Sequence, residues 1–267
     1  MIKGSYHLAK VKPTIDVLPN VAYDANDVLF DWYAFEIPRG ACSVRSINVV
    51  RPGTDTTATT GLDIELLFAT SVNGIAPPSL GDPDAAITKI AATACKNHLI
   101  GHKYLDASVL ENSDLLVGYN IWTQTSGQSA GYDQLDMVIE GDPTYAGTTT
   151  GYQTVWIAGI AIGTDDFGTG VLLNGGIGAD DGGAQTLDVS NDQDADDVFA
   201  IGDELLAAAS DGSSVQKIGT ITALTADTVT VDAKDIFGTT VWSLGALVDD
   251  DEICFRRPLT FNIGLEY

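Results

Sequence analysis

The sequence predicts an all-β protein, a jelly-roll-like β-sandwich interrupted by a small inserted β-barrel. Three observations lead there. Short runs rich in Val, Ile, Tyr, Phe and Trp recur along the chain, separated by Gly, Pro, Asp and Asn turns. A single stretch has helical spacing. The composition also shifts within 164–251, which holds 18 of the 37 acidic residues but only two of the 13 basic ones, Lys217 and Lys234.

In chain order, residues 1–20 carry Lys3, Lys10, Lys12, Pro13 and Pro19 and predict an N-terminal arm, either an edge strand or loose terminus, or an arm laid on a neighbouring subunit. "VLFDWYAFEIP" (28–38) and "CSVRSINVV" (42–50) read as strands joined by the turn Pro38-Arg39-Gly40. In "DIELLFATSV" (63–72), Ile64, Leu66 and Phe68 fall on one face and Asp63 and Glu65 on the other, the period of a half-buried strand. "GIAPPSLGDP" (74–83) is a loop broken by Pro77-Pro78 and Gly81. "DAAITKIAATACKNHL" (84–99) is the helical candidate, with Asp84 as cap and Ile87, Ile90, Ala91 and Ala94 at helical spacing.

Strands resume at "DLLVGYNIWTQ" (114–124) and "QLDMVIEG" (134–141), with 125–133 as a Gly/Ser hairpin loop. "YQTVWIAGIAIG" (152–163) follows as a strand, and its apolar run "VWIAGIAIG" (155–163) is too short to span a bilayer and reads as a buried strand. At the end of the chain, Leu259, Phe261, Ile263, Leu265 and Tyr267 alternate with polar or small residues, which ties the last strand into a sheet. These segments assign 21–163 plus 252–267 to the sandwich, left after Ile162 and rejoined near Ile253. Within 164–251, "VLLN", "TLDVS", "DELLAAA", "KIGTITAL" and "TVTVDA" are short strands whose core is Leu205, Ile218, Ile221, Leu224, Val229 and Val231.

A formal charge of −24 opposes binding to DNA, RNA and anionic membranes and keeps a crowded protein soluble. No apolar h-region follows Met1, so no signal peptide is expected. Cys42, Cys95 and Cys254 are odd in number and widely spaced, the pattern of reduced buried thiols.

The motifs point away from an enzyme. "GQSAG" (127–131) matches the spacing of a nucleophile elbow around Ser129, but strand-like sequence follows it where the motif needs a helix, and no histidine lies after it. "HLIGHK" spaces His98 and His102 as metal ligands on a helix would be, with Gly101 between and no acidic partner. "GGIGADDGG" (175–183) lacks the Lys-Ser/Thr of a P-loop. The aromatics of "FDWYAF" (30–35) read as core or subunit contact, with a sugar-binding face as the sharper alternative. Asp192, Asp194 and Asp196 in "DVSNDQDADD" are the best metal candidate, an irregular calcium site set against a plain acidic loop. An EF-hand is excluded, because Gly and Glu are missing where Asp197 and Asp203 stand. No other cofactor is expected.

"AYDANDVLFDWYAFEIPRGACSVRSINVV", "IELLFATSVNGIAPPSLG", "VWIAGIAIGTDDFGTGVLLN", "IGDELLAAASDGSSVQKIGTITAL" and "FRRPLTFNIGLEY", in this order over most of the chain, resemble virion structural proteins of tailed bacteriophages, especially those of aquatic bacteria. The resemblance implies a homo-oligomeric protein without an active site, made in the host cytoplasm and carried in the virion. Its implied role is capsid decoration or cement, on the capsid exterior, with the major capsid protein and its own copies as partners. A tail, neck or fibre component is the alternative, and a calcium- or carbohydrate-binding adhesion module belongs to a different class.

Overall fold

A computed structural model describes residues 4–15, 22–52, 62–106, 111–113, 119–125, 137–146, 151–164, 167, 170–175, 184–190, 194–209, 215–232 and 247–267. Among them the strands are β1 Tyr6–Val11, β2 Val28–Pro38, β3 Cys42–Pro52, β4 Ile64–Ala69, β5 Leu99–Leu105, β6 Glu111–Ser113, β7 Tyr119–Thr125, β8 Val138–Ile139, β9 Tyr152–Ala161, β10 Val171–Leu172, β11 Gln185–Asp188, β12 Glu204–Ala208, β13 Gln216–Leu224, β14 Thr228–Val231, β15 Glu252–Phe255 and β16 Thr260–Glu266. Helix α1 spans Lys89–Cys95 and α2 Ala195–Val198. The protein is all-β, and every strand pairing is antiparallel.

One sheet runs β1-β16-β3-β7-β6, with β8 also on β3, and a second runs β2-β9-β4-β5. Both contribute to one core. Val44, Ile47 and Val49 of β3 and Phe261, Ile263 and Leu265 of β16 share it with Phe30 and Ile37 of β2 and Ile64, Leu66 and Phe68 of β4. Phe30 and Phe261 meet with ring centroids 5.6 Å apart. A period of two, reset by irregularities between Val44 and Ile47 of β3 and between Phe30 and Tyr33 of β2, fixes which side chains face inward.

β9 is buried from Gln153 to Ala161 because the second sheet is covered on both sides. Its outer face carries a smaller cluster of Val28, Leu80, Cys95, Ala158 and Ile160. The chain from Gly74 to Cys95 is pinned there. Trp32 Nε1–H and the Cys95 thiol both donate to Pro78 O, at 2.9 and 3.0 Å, and the Leu80 amide donates to Asp31 Oδ1 at 3.0 Å.

Helix α1 is shorter than the sequence predicts, and Asp84 is not its cap. Asp84 sits at φ 60°, its amide bonded to Val28 O, and Ala86 bridges Asp27, so residues before Thr88 are held as an extended edge of β2. Thr88 caps the helix instead, its Oγ1 accepting from the Ala91 amide at 3.1 Å. The predicted apolar stripe is also absent, since Ile90 is 84% exposed.

The sequence predicts 125–133 as a hairpin loop; beyond Thr125 that segment lies outside the described residues, and among the described residues its flanks do not pair with each other. β7 lies antiparallel to Ser46–Pro52 and β8 antiparallel to Cys42–Ser43, so both use the same edge of the long β3. The N-terminal segment is part of its own chain's sheet. β1 pairs with β16 from Tyr6↔Glu266 to Val11↔Phe261, and Ile15 is fully buried with its amide on Arg256 O. The edge-strand alternative for this segment therefore describes Tyr6–Val11.

The third sheet runs β10-β15-β12-β13-β14-β11. Its ends meet. Leu173 bridges Val189, the Asn174 amide donates to Asp188 O at 2.9 Å and the Ser190 amide to Leu172 O at 2.8 Å, which closes the six strands into a ring. Inside lie Leu205, Ile218, Ile221, Val229 and Val231, with Leu224 packed against them. β15 belongs to this ring, between β10 and β12, so the chain returns to the first sheet only after Phe255, two residues later than the expected return near Ile253. The pairing of "EICF" with β12 decides this, since all four residues are buried.

Asp142 staples two loops of the sandwich. Its carboxylate accepts from Thr144 Oγ1 at 2.7 Å, the Thr144 amide at 2.8 Å, the Gly74 amide at 2.9 Å and Ser71 Oγ at 3.1 Å. These bonds, the Thr144 hydroxyl first, lower its pKa from 3.8 to about 2. A depressed carboxylate contributes stability above its unfolded pKa and loses it as pH falls through the folded one. The Ser71–Ile75 turn is therefore expected to loosen between about pH 4 and pH 2, seen as faster amide exchange at Gly74. Asp142→Asn should remove that pH dependence, and a carboxyl titration near 3.8 by carbon NMR would contradict the staple.

Candidate functional site

The first sheet meets the ring at a cleft of about 230 Å³. Lys10 and Asn262 face each other across β1 and β16, on the side away from the core, because Val11, Phe261 and Ile263 point inward. Lys12 follows β1, and Arg257 comes from the return segment between β15 and β16. Asp203, just before β12, supplies the ring's side of the wall. A recess of about 80 Å³ opens beside it, sharing Lys12, Asp203, Phe255 and Arg257.

The electrostatics of this cleft invert those of the whole chain. Among the described residues three cations line it against one carboxylate, in a protein of charge −24. Burial raises the pKa of Asp203, while the Ala200 amide, 2.9 Å away, and Lys12 act in the opposite direction. The adjacent Glu204 is committed elsewhere. It takes Arg256 Nη1 at 3.1 Å on Oε2 and Arg257 Nη1 at 3.3 Å on Oε1, all three side chains being 14–22% exposed. The Arg256 amide donates to Glu204 O at 2.8 Å while Arg256 O accepts from the Ile15 amide at 2.9 Å. The return segment is thus bonded to the ring on one side and to the N-terminal segment on the other. Among the described residues the cleft lining offers cations and hydrogen-bond donors, and no Ser, Cys or His. This arrangement can hold an anion.

Asp194 and Asp196 are exposed at the start of α2, and Asp192 lies outside the described residues. Asp196 and Asp197 occupy the first turn, where acidic side chains complement the helix dipole. Among the described residues no group of three or more His, Cys, Asp or Glu is placed to hold a metal ion. His98 and His102 flank and enter β5 rather than sharing a helix face. His98 Nδ1 lies 3.0 Å from Thr70 O and His102 Nδ1 3.0 Å from Glu65 Oε1. Ser129 lies outside the described residues.

The aromatic run divides by role. Phe30 and Phe35 are in the core, Tyr33 packs against it, and Trp32 anchors the Pro78 loop. The three cysteines are buried and free, and burial pushes the Cys254 thiol far up.

The cleft residues were not singled out from sequence, because they come from separated segments joined only by the return after β15. The available signal was Lys10 and Lys12 together with Arg256-Arg257, two basic pairs in an acidic chain.

Fold and site define a class: an all-β protein with an acidic closed ring set into an open-edged pair of sheets, and a cationic cleft at their junction. In comparison with known proteins, the chain matches no family model and no curated protein. Among the described residues no helix is long and apolar enough to cross a membrane.

Proposed function

We propose that this chain is a non-enzymatic structural protein of a tailed-phage virion, a capsid decoration protein that binds the major capsid lattice and its own copies. One observation carries the reading, the division of labour between the sheets. Among the described residues the ring's end strands meet at Leu173 and Val189, and 164–251 holds 18 of the 37 acidic residues, so the ring suits an outward, soluble knob. Among the described residues β1 pairs on one side only, and it carries exposed apolar side chains, Tyr6 at 74% and Leu8 at 62%. Large exposed apolar groups beside an open edge mark a contact surface. Because Tyr6–Val11 is already paired with β16, docking uses the face and edge of a formed sheet rather than a free arm. The charge favours the outside of a head, away from packaged DNA.

The test is co-sedimentation of the purified protein with undecorated phage heads, counting bound copies. Saturation at a multiple of the lattice number is the expected result, weakened by Tyr6→Ser with Leu8→Ser. Absence of binding to heads, with binding to tails or fibres instead, would replace decoration by a tail, neck or fibre role.

A further inference from the structure

We propose that the junction cleft is a binding site for a small multivalent oxyanion, phosphate- or carboxylate-bearing, held by Lys10, Lys12 and Asn262. The inference is independent of what the sandwich docks against.

The cleft gathers three cations where the chain as a whole is strongly acidic. Solvated surface lysines in such a chain would find carboxylates nearby, yet Lys10 has no hydrogen-bond or ion-pair partner among the described residues. Lys12 faces Asp203, whose carboxylate also accepts from the Ala200 amide. The Asn262 side chain lies beside Lys10 in the β1–β16 register, and Thr260 adds a hydroxyl to the same wall. Ammonium groups, an amide and a hydroxyl converging on one concavity are donors in excess of acceptors, the complement of an oxyanion. The volume of about 230 Å³ admits a pyrophosphate- or citrate-sized group and excludes a folded partner. An anion seated there would touch the first sheet through Lys10 and, through Arg257, the segment ion-paired to Glu204 of the ring, so its occupancy couples the two.

The experiment is calorimetric titration of the full chain with pyrophosphate and, separately, with citrate, in phosphate-free buffer at constant ionic strength, because screening alone alters surface charge effects. Saturable binding of either is expected, with a rise in Tm, and which of the two binds identifies the phosphate or carboxylate chemistry. Lys10→Gln with Lys12→Gln should weaken binding about tenfold or more, since each loses a charge-assisted contact. Lys96→Gln, a change at an exposed lysine after α1, should leave it unaltered. Circular dichroism confirms that the double variant is folded. No saturable binding of either anion at millimolar concentration overturns the proposal, and so does binding that the double variant retains in full.

Discussion

Gly159→Ala is expected to destabilise the protein by about 3 kcal/mol, the upper range for forcing an extra methyl into a packed core. Gly159 sits in β9 opposite Phe30 of β2, and the Phe30 ring lies across its Cα. An added Cβ would clash with Phe30 Cε1 and stand 2.8 and 2.9 Å from Cδ1 and Cζ, closer than van der Waals contact allows. The ring has no room to retreat, being 1% exposed and packed on Phe261. Urea denaturation measures the loss. Phe30→Leu in the Gly159→Ala background should recover part of it, because the smaller side chain vacates the space, and a double-mutant cycle isolates that coupling. A loss no larger than the roughly 0.5 kcal/mol scatter of surface changes would show that β9 shifts freely.

Glu204→Ala is expected to cost about 2–4 kcal/mol, somewhat below the cost of breaking a fully buried ion pair. One carboxylate serves two guanidinium groups here, and Arg257 Nε is already buried without an acceptor. Removing Glu204 leaves both cations facing each other in a site largely closed to water. Glu204→Gln keeps an acceptor and should cost about half as much. The site of the loss matters too. The triplet ties β12 to the segment leading into β16, so the variant should unfold in two steps, the ring separating from the sandwich sheets. A single transition with an unchanged midpoint would mean that the backbone bonds at Arg256 suffice.

Much of the strand pattern was legible because burial imposes a period. β2 and β16 match their predicted extents closely, and the continuous apolar run of β9 correctly signals a buried strand. The ring's core was legible in part for the same reason: Val229 and Val231 alternate in β14, whereas Ile218, Ile221 and Leu224 stand three apart in β13, where the register shifts. What was not legible depends on partners distant in sequence. Residues 84–87 look helical locally but are captured by β2, and tertiary pairing overrides propensity. Segments 114–124 and 134–141 resemble a hairpin, yet β7 and β8, which carry their described residues, both lie along one edge of β3. Ring closure rests on Leu173 and Val189, a two-residue contact with no periodic signal. The cleft is hidden for a related reason. Its cations lie far apart in the chain, and alternation places them only after the β1–β16 register is known.

The closed ring has a consequence for how such a chain changes over generations. Its first and last strands, β10 and β15, are neighbours, with Val171 opposite Ile253. The polypeptide therefore steps into the ring and out of it at points about 5 Å apart. A few residues bridging that gap would let β9 run on to β16 without the intervening chain, and a different element with ends equally close would fit the same opening. Closure also means that an exchanged ring exposes no raw edge at the splice. The outward part of the molecule can then diversify by substitution of a whole unit, while the sheets beneath keep their register and contacts.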